Sequence, residues 1–159
     1  MPLGLRQAIL NSNDKQPTHE TINRLMTTLR FTPHIDPRGS LLPLDFRALP
    51  LDPKRVFLIT KVPPGTVRGG HGPGTGKQLL VATGGPVQIV VQRGSGQRDY
   101  VDLCSAGEAC LLETGDVAWI RYCAAGSALL VLSDTPYDPA GYVYSDAVPT
   151  NLEWQENFP

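Results

Sequence analysis

From about Leu25 onward the apolar residues of this chain come in short bursts, separated by glycine, proline and small polar residues. "KRVFLITKV" (residues 54–62) is rich in β-branched and aromatic side chains, and "KQLLVATG", "PVQIVVQR" and "RDYVDLCS" continue the pattern. Gly84-Gly85 joins the first two of these runs, and "RGSGQ" makes a hairpin turn before the last. "EACLLETGDVAWIRYCAAGSALLVLSD" divides into three more short strands, at Thr114-Gly115-Asp116 and at Ala125-Gly126. Strands recurring every ~8–12 residues between turn signals predict a β-sandwich or barrel. No sustained helical period appears after residue 30.

The flanking segments are less regular. "RLMTTLRFTP" reads as a strand or a lead-in to one, and "DPRGSLLPLD" as a turn followed by a short strand. "PPGTVRGGHGPGTG" reads as a flexible loop, and the tail "TPYDPAGYVYSDAVPTNLEWQENFP" as an irregular aromatic cover packed across the barrel. Residues 1–24 form an N-terminal extension, with a short helix expected at "LGLRQAIL" before the turn-rich "NSNDKQPTHET". Residues 25–159 are expected to be one all-β domain.

Composition narrows the picture. A chain of 159 residues fits one domain with a real core. Its 16 glycines and 15 prolines fall between apolar runs, which means turns rather than disorder. With 14 basic and 15 acidic residues the formal net charge is −1, which argues against a general nucleic-acid binder but leaves local basic groups able to hold a phosphate. No apolar run approaches the ~20 residues of a membrane span, and the N-terminus lacks the charged-then-apolar order of a secretory signal. The three cysteines, Cys104, Cys110 and Cys123, have no metal-type spacing. The cytoplasm is the expected compartment.

"GPGTGK" (Gly72–Lys77) imitates the phosphate loop G-x-x-x-x-G-K-[ST]. His71 stands at the first glycine position, however, and Gln78 where the Mg²⁺-binding hydroxyl belongs. A strand-like run follows, not a helix. The phosphate-loop reading fails.

The same segment fits a different spacing. Gly65, His71, Pro73, Gln78 and Gly85 stand at the intervals of G-x5-H-x-H-x4-E-x6-G, the first cupin motif. The second, G-x5-P-x-G-x2-H, can be laid over Gly107, Glu113, Gly115 and Ala118. The chain thus resembles the cupins, which implies a jelly-roll β-barrel. Metal-binding cupins surround their ion with three histidines and a glutamate; here only His71 remains, with Pro73, Gln78 and Ala118 in the other places. One histidine does not hold a catalytic transition metal, so no metal and no other cofactor is expected.

Among metal-free cupins the chain resembles the sugar-nucleotide 3,4-ketoisomerases, which move a keto group between C4 and C3 of thymidine-diphosphate 4-keto-6-deoxyhexoses. The resemblance runs from about Thr32 to Pro149 and rests on "DPRGSLLPLD", "RVFLITKVPPGTVRGGH", "KQLLVATGG", Trp119 and "LLVLSDTPYDPAGYV". It implies a homodimer and a thymidine-diphosphate sugar as the small-molecule partner. Two positions depart from the family pattern: Pro73 replaces the second histidine of R-G-x-H-A-H, and Ile120 replaces a histidine that commonly follows the tryptophan.

Moving a ketone to the adjacent carbon requires a base with a pKa near neutrality and donors aimed at a developing enolate oxygen. His71 suits the base, Arg68 an oxyanion or phosphate, and Tyr122 a proton relay. The cupin spacing puts Lys77 and Gln78 near the barrel mouth, and Tyr137 can contact the sugar. Phe57 and Trp119 offer stacking surfaces, with the core as their alternative. Lys77 can equally be a solvated side chain, and Tyr137 with Asp138 can simply pin the tail. Asp36 and Arg38 are assigned to a turn; His19 and His34 are assigned to the surface.

Three readings follow. The first is a metal-independent nucleotide-sugar isomerase working through an enediol. The second is the same barrel recruited to another acid–base or cyclisation reaction in natural-product assembly. The third is a sugar-nucleotide-binding cupin without catalysis.

Overall fold

The computed structural model describes residues 28–145 together with Leu152 and Trp154. The helix expected within 1–24 lies outside the described residues. In chain order the strands are β1 Thr28–Arg30, β2 His34–Asp36, β3 Gly39–Leu41, β4 Arg55–Ile59, β5 Val67–Pro73 and β6 Gln78–Ala82. They continue as β7 Val87–Gln92, β8 Arg98–Leu103, β9 Glu108–Leu112, β10 Val117–Tyr122, β11 Leu129–Ser133 and β12 Tyr142–Tyr144. The helical content of the described residues is two short 3-10 turns, Phe46–Ala48 and Pro139–Gly141. No described helix is long and apolar enough to cross a membrane.

Two five-stranded sheets, ordered β1-β9-β6-β11-β4 and β12-β5-β10-β7-β8, pack as a jelly-roll sandwich, with β2-β3 as a separate hairpin. Every ladder between named strands is antiparallel. The all-β cupin architecture is therefore the one the sequence implies, although among the described residues no ladder closes the two sheets into a continuous barrel.

Alternation along the strands decides what goes inside. Val87, Ile89 and Val91 of β7, Leu80 and Ala82 of β6, and Leu129 and Val131 of β11 meet between the sheets. Each fully buried side chain of this kind contributes about 1.5–3 kcal/mol. The opposite faces are covered as well. Leu79, Val81 and Leu132 pack under Leu42, Leu44 and Leu49, while Val90, Val117 and Trp119 pack under Leu152 and Trp154. Central strands covered on both faces read as nearly continuous apolar runs, as "VAWI" in β10 does.

Two expectations need correction. The segment read as a loop contains β5, a seven-residue strand. Its glycines made it look like a loop, yet they are what let it approach β10. A Cβ at Gly69, whose φ is +108°, would collide with the Ala118 carbonyl, and one at Gly72 would collide with that of Asp116. The tail, read as irregular, contains β12, which pairs with β5 through Tyr142↔Pro73 and Tyr144↔His71. The tail residues Leu152 and Trp154 do pack across the sandwich, on its outer face.

Candidate active site

The open end of the sandwich is built on β5. In the ladder to β10, Arg68 lies opposite Ile120 and His71 opposite Ala118, with an irregularity between Ala118 and Trp119. That irregularity lets Arg68 and His71, an odd number of residues apart, line one cleft. Their strand sits against β4, whose alternation turns Phe57 and Ile59 inward. The result is a cleft of about 690 Å³ lined by Phe57, Ile59, Thr60, Arg68, His71 and Ile120. Among the described residues no carboxylate lines it.

His71 is accessible from solvent. Partial burial nonetheless lowers its pKa below the ordinary histidine value, and the neighbouring Arg68 charge pushes in the same direction. Both effects favour the neutral imidazole, the form that accepts a proton. Two rings bound it: Tyr142 meets it edge-on with centroids 5.6 Å apart, and Tyr144 lies at 5.9 Å, tilted.

Tyr122, at the other end of β10, is fully buried among the interior side chains. Its hydroxyl has no hydrogen-bond partner among the described residues. Burial pushes its pKa up to about 12, against a smaller opposing pull from Arg68. A phenol in that state keeps its proton at neutral pH. Tyr122 can donate a hydrogen bond but is a poor base.

A second hollow of about 320 Å³ lies on the other side of Tyr142, lined by Pro73, Thr75, Gln78, Thr135, Asp138 and Tyr142 among others. Gln78 is nearly buried there. Tyr142 accepts a hydrogen bond from Arg55 Nη1 at 3.0 Å. The Arg55 guanidinium lies 4.5 Å from the Phe57 ring centroid and 4.7 Å from that of Tyr137. Among the described residues Arg55 meets no carboxylate; its charge rests on π faces and one phenol oxygen.

The residues expected in one site therefore divide. Arg68, His71 and Phe57 share the cleft, Gln78 lines the second hollow, and Tyr137 packs over Arg55. Two expectations need correction. Trp119 points to the outer face of its sheet, fully buried against Val90 and Val117, because neighbours on a strand face opposite ways and Ile120 takes the cleft side. Lys77 lines neither hollow, its ammonium lying 3.0 Å from a Glu113 carboxylate oxygen. Arg55, Tyr142 and Tyr144 were missed. Alternation in "RVFLI" puts Arg55 on the same face as Phe57, and "YVY" is itself a strand pattern.

Among the described residues no three His, Cys, Asp or Glu side chains gather as a metal-ligand set. The cupin ligand positions are occupied by His71, Pro73, Gln78 and Ala118.

The two-sheet jelly roll and its arginine–histidine cleft place the molecule among the cupins. Residues 24–149 match the family described as WxcM-like, C-terminal (FdtA), and the chain belongs to that family. No curated protein matches it. Among solved structures it is similar to QdtA, a sugar 3,4-ketoisomerase from Thermoanaerobacterium thermosaccharolyticum in complex with TDP. The TM-score is 0.66 at 26% identity, covering 73% of this chain and 85% of that one. It is similar also to the TDP-quinovose 3,4-ketoisomerase WlaRB from Campylobacter jejuni (0.65, 26%, 74% and 91%). A 3,4-ketoisomerase from Helicobacter canadensis is a further neighbour (0.64, 26%, 73% and 87%).

Proposed function

We propose that this protein is a metal-independent 3,4-ketoisomerase of a thymidine-diphosphate-linked 4-keto-6-deoxy sugar, with His71 as the group that moves the carbon-bound proton. The observation that carries this reading is the pairing of His71 with Arg68 in the carboxylate-free cleft. The family and the ketoisomerase neighbours supply the substrate class.

The reaction is an internal redistribution of two protons. His71 takes the proton from C3, next to the C4 ketone; the freed electron pair forms the C3–C4 double bond and leaves negative charge on O4. Arg68 stabilises that oxyanion. Return of a proton to C4 and loss of the one on O3 give the 3-ketone. A histidine held neutral by its surroundings can begin this sequence at neutral pH. Phe57 offers a face for stacking in the cleft, and Gln78 an amide donor and acceptor in the second hollow.

Pro73 and Ile120 leave one histidine in the cleft, which favours a second reading, a nucleotide-binding protein without turnover. One experiment orders the readings. The purified protein is melted with TDP, a TDP-sugar, UDP or EDTA, and then assayed for isomerisation. A ligand that binds only the native state at a hundredfold excess over Kd stabilises it by about 2.7 kcal/mol. A shift with TDP and none with EDTA, together with conversion of the 4-keto sugar, is expected. A shift without conversion means binding alone. No shift with any nucleotide overturns both and leaves a barrel recruited to other acid–base chemistry.

A further inference from the structure

A single histidine handles a carbon-bound proton, but the isomerisation also moves a proton from O3 to O4. The structure must supply a second group, and the place where the family pattern has another histidine holds Pro73, which has no proton to give. Directly opposite Pro73 in the β5–β12 ladder stands Tyr142. Its ring touches His71 edge-on, it lines the second hollow, and its oxygen accepts from Arg55. Because that oxygen is the acceptor in the Arg55 bond, the hydroxyl proton remains available to another partner. No other hydrogen bond of this hydroxyl occurs among the described residues.

Resting on the ketoisomerase reading above, we infer that Tyr142 is the second catalytic residue, carrying the oxygen-bound proton while His71 carries the carbon-bound one. After His71 takes the C3 proton, Tyr142 gives its hydroxyl proton to O4, completing the enediol. Its oxygen is then negative, and the Arg55 guanidinium already donates to that atom. The phenolate takes the proton from O3 as the C3 carbonyl forms, the electron pair of the double bond moves to C4, and C4 receives the proton from His71. Both residues end as they began, and no oxidant or reductant enters. Arg55 is a positioning residue: stacked on Phe57 and Tyr137, it fixes the Tyr142 oxygen without touching the sugar. Tyr122 cannot substitute readily, since its hydroxyl is sealed in the core.

The test follows thymidine-diphosphate 4-keto-6-deoxyglucose in deuterium oxide by proton NMR, reading loss of the C3 proton separately from product formation. In Tyr142→Phe, product formation is expected to fall by about 10²-fold, while C3 exchange and the TDP melting shift persist, so the exchange-to-product ratio rises. Arg55→Met moves the same ratio in the same direction and adds little to Tyr142→Phe. His71→Ala abolishes exchange and product together. Three results overturn the inference: product formation in Tyr142→Phe within about threefold of wild type, parallel loss of exchange and product, or loss of TDP binding. The last would make Tyr142 a binding residue. A wild-type protein that binds TDP but neither exchanges nor converts the sugar overturns the ketoisomerase reading itself, an outcome separate from these three.

Discussion

Arg93 and Arg55 hold the same cation by opposite means. Arg93, near the far end of β7, lies 2.7 Å from an Asp99 oxygen and 2.5 Å from one of Asp116, with all three side chains largely buried. Burial disfavours its charge, but the two carboxylates more than compensate and its pKa is raised. Arg55 has two rings and a phenol oxygen instead. The first arrangement consumes the charge to lock a turn; the second fixes the guanidinium in place and leaves its field unspent. Arg68 is like Arg55 in this respect, with no ion pair among the described residues. One arginine is thus electrostatically finished, and the other two are complementary to an anion the protein does not itself provide.

Substitutions in the cleft and in the ion-paired cluster should separate activity from stability. The largest effect expected is at the mouth: His71→Ala should lower turnover by about 10²–10⁴-fold with an unchanged melting midpoint, measured by steady-state assay beside a thermal melt. In the ion-paired cluster, Arg93→Met should cost about 3–5 kcal/mol in urea unfolding, because Asp116 and Asp99 are left buried without their partner. The folded fraction should keep its specific activity. If Arg93→Met abolishes turnover in well-folded protein, the division between the structural and the functional arginines is wrong.

The smallest effect is in pH. With its folded pKa lowered, His71 stays neutral to a lower pH than an unfolded histidine, which titrates near 6.5. The acid limb of kcat/KM should therefore fall below about pH 6.5. Stability follows the same sign. As pH drops through this window the unfolded chain binds a proton that the folded chain resists, so stability is lost on acidification and regained as pH rises. His71→Gln should flatten that slope in melts taken between about pH 5 and 7. A steeper slope in His71→Gln would mean that His71 gains a proton on folding.

The strands with one polar side, or with sharp turns, were legible from their residues. The β-branched run of β4 and the hairpin turn after β7 were read as such, and the motif spacing around His71 put it at the site. What escaped has physical causes. β5 was hidden because glycine, rare in strands, is required where its backbone meets β10. Trp119 was left between a stacking surface and the core because β10 is apolar on both faces, so its pattern carries no sign of which way is in; it is buried in a core cluster. Lys77 meets Glu113 because β6 pairs with β9, Gln78 opposite Leu112, a cross-strand neighbour that sequence spacing does not reveal. Tyr142 and Arg55 lie far apart in the chain, in segments read as tail and as core strand, and only pairing across the sheets brings them together.

The carboxylate-free lining of the cleft has a consequence for encounter rather than for chemistry. On a protein of formal charge −1, Arg68 in the cleft and Arg55 stacked on the Phe57 that lines it are two cations without an ion pair among the described residues. Under the proposed function, these charges would attract the substrate's diphosphate over about 10 Å at 0.1 M salt, so that its anionic end arrives first. Added salt shortens this reach and slows capture, whereas the Arg93 clamp, closed within the protein, is largely indifferent to it.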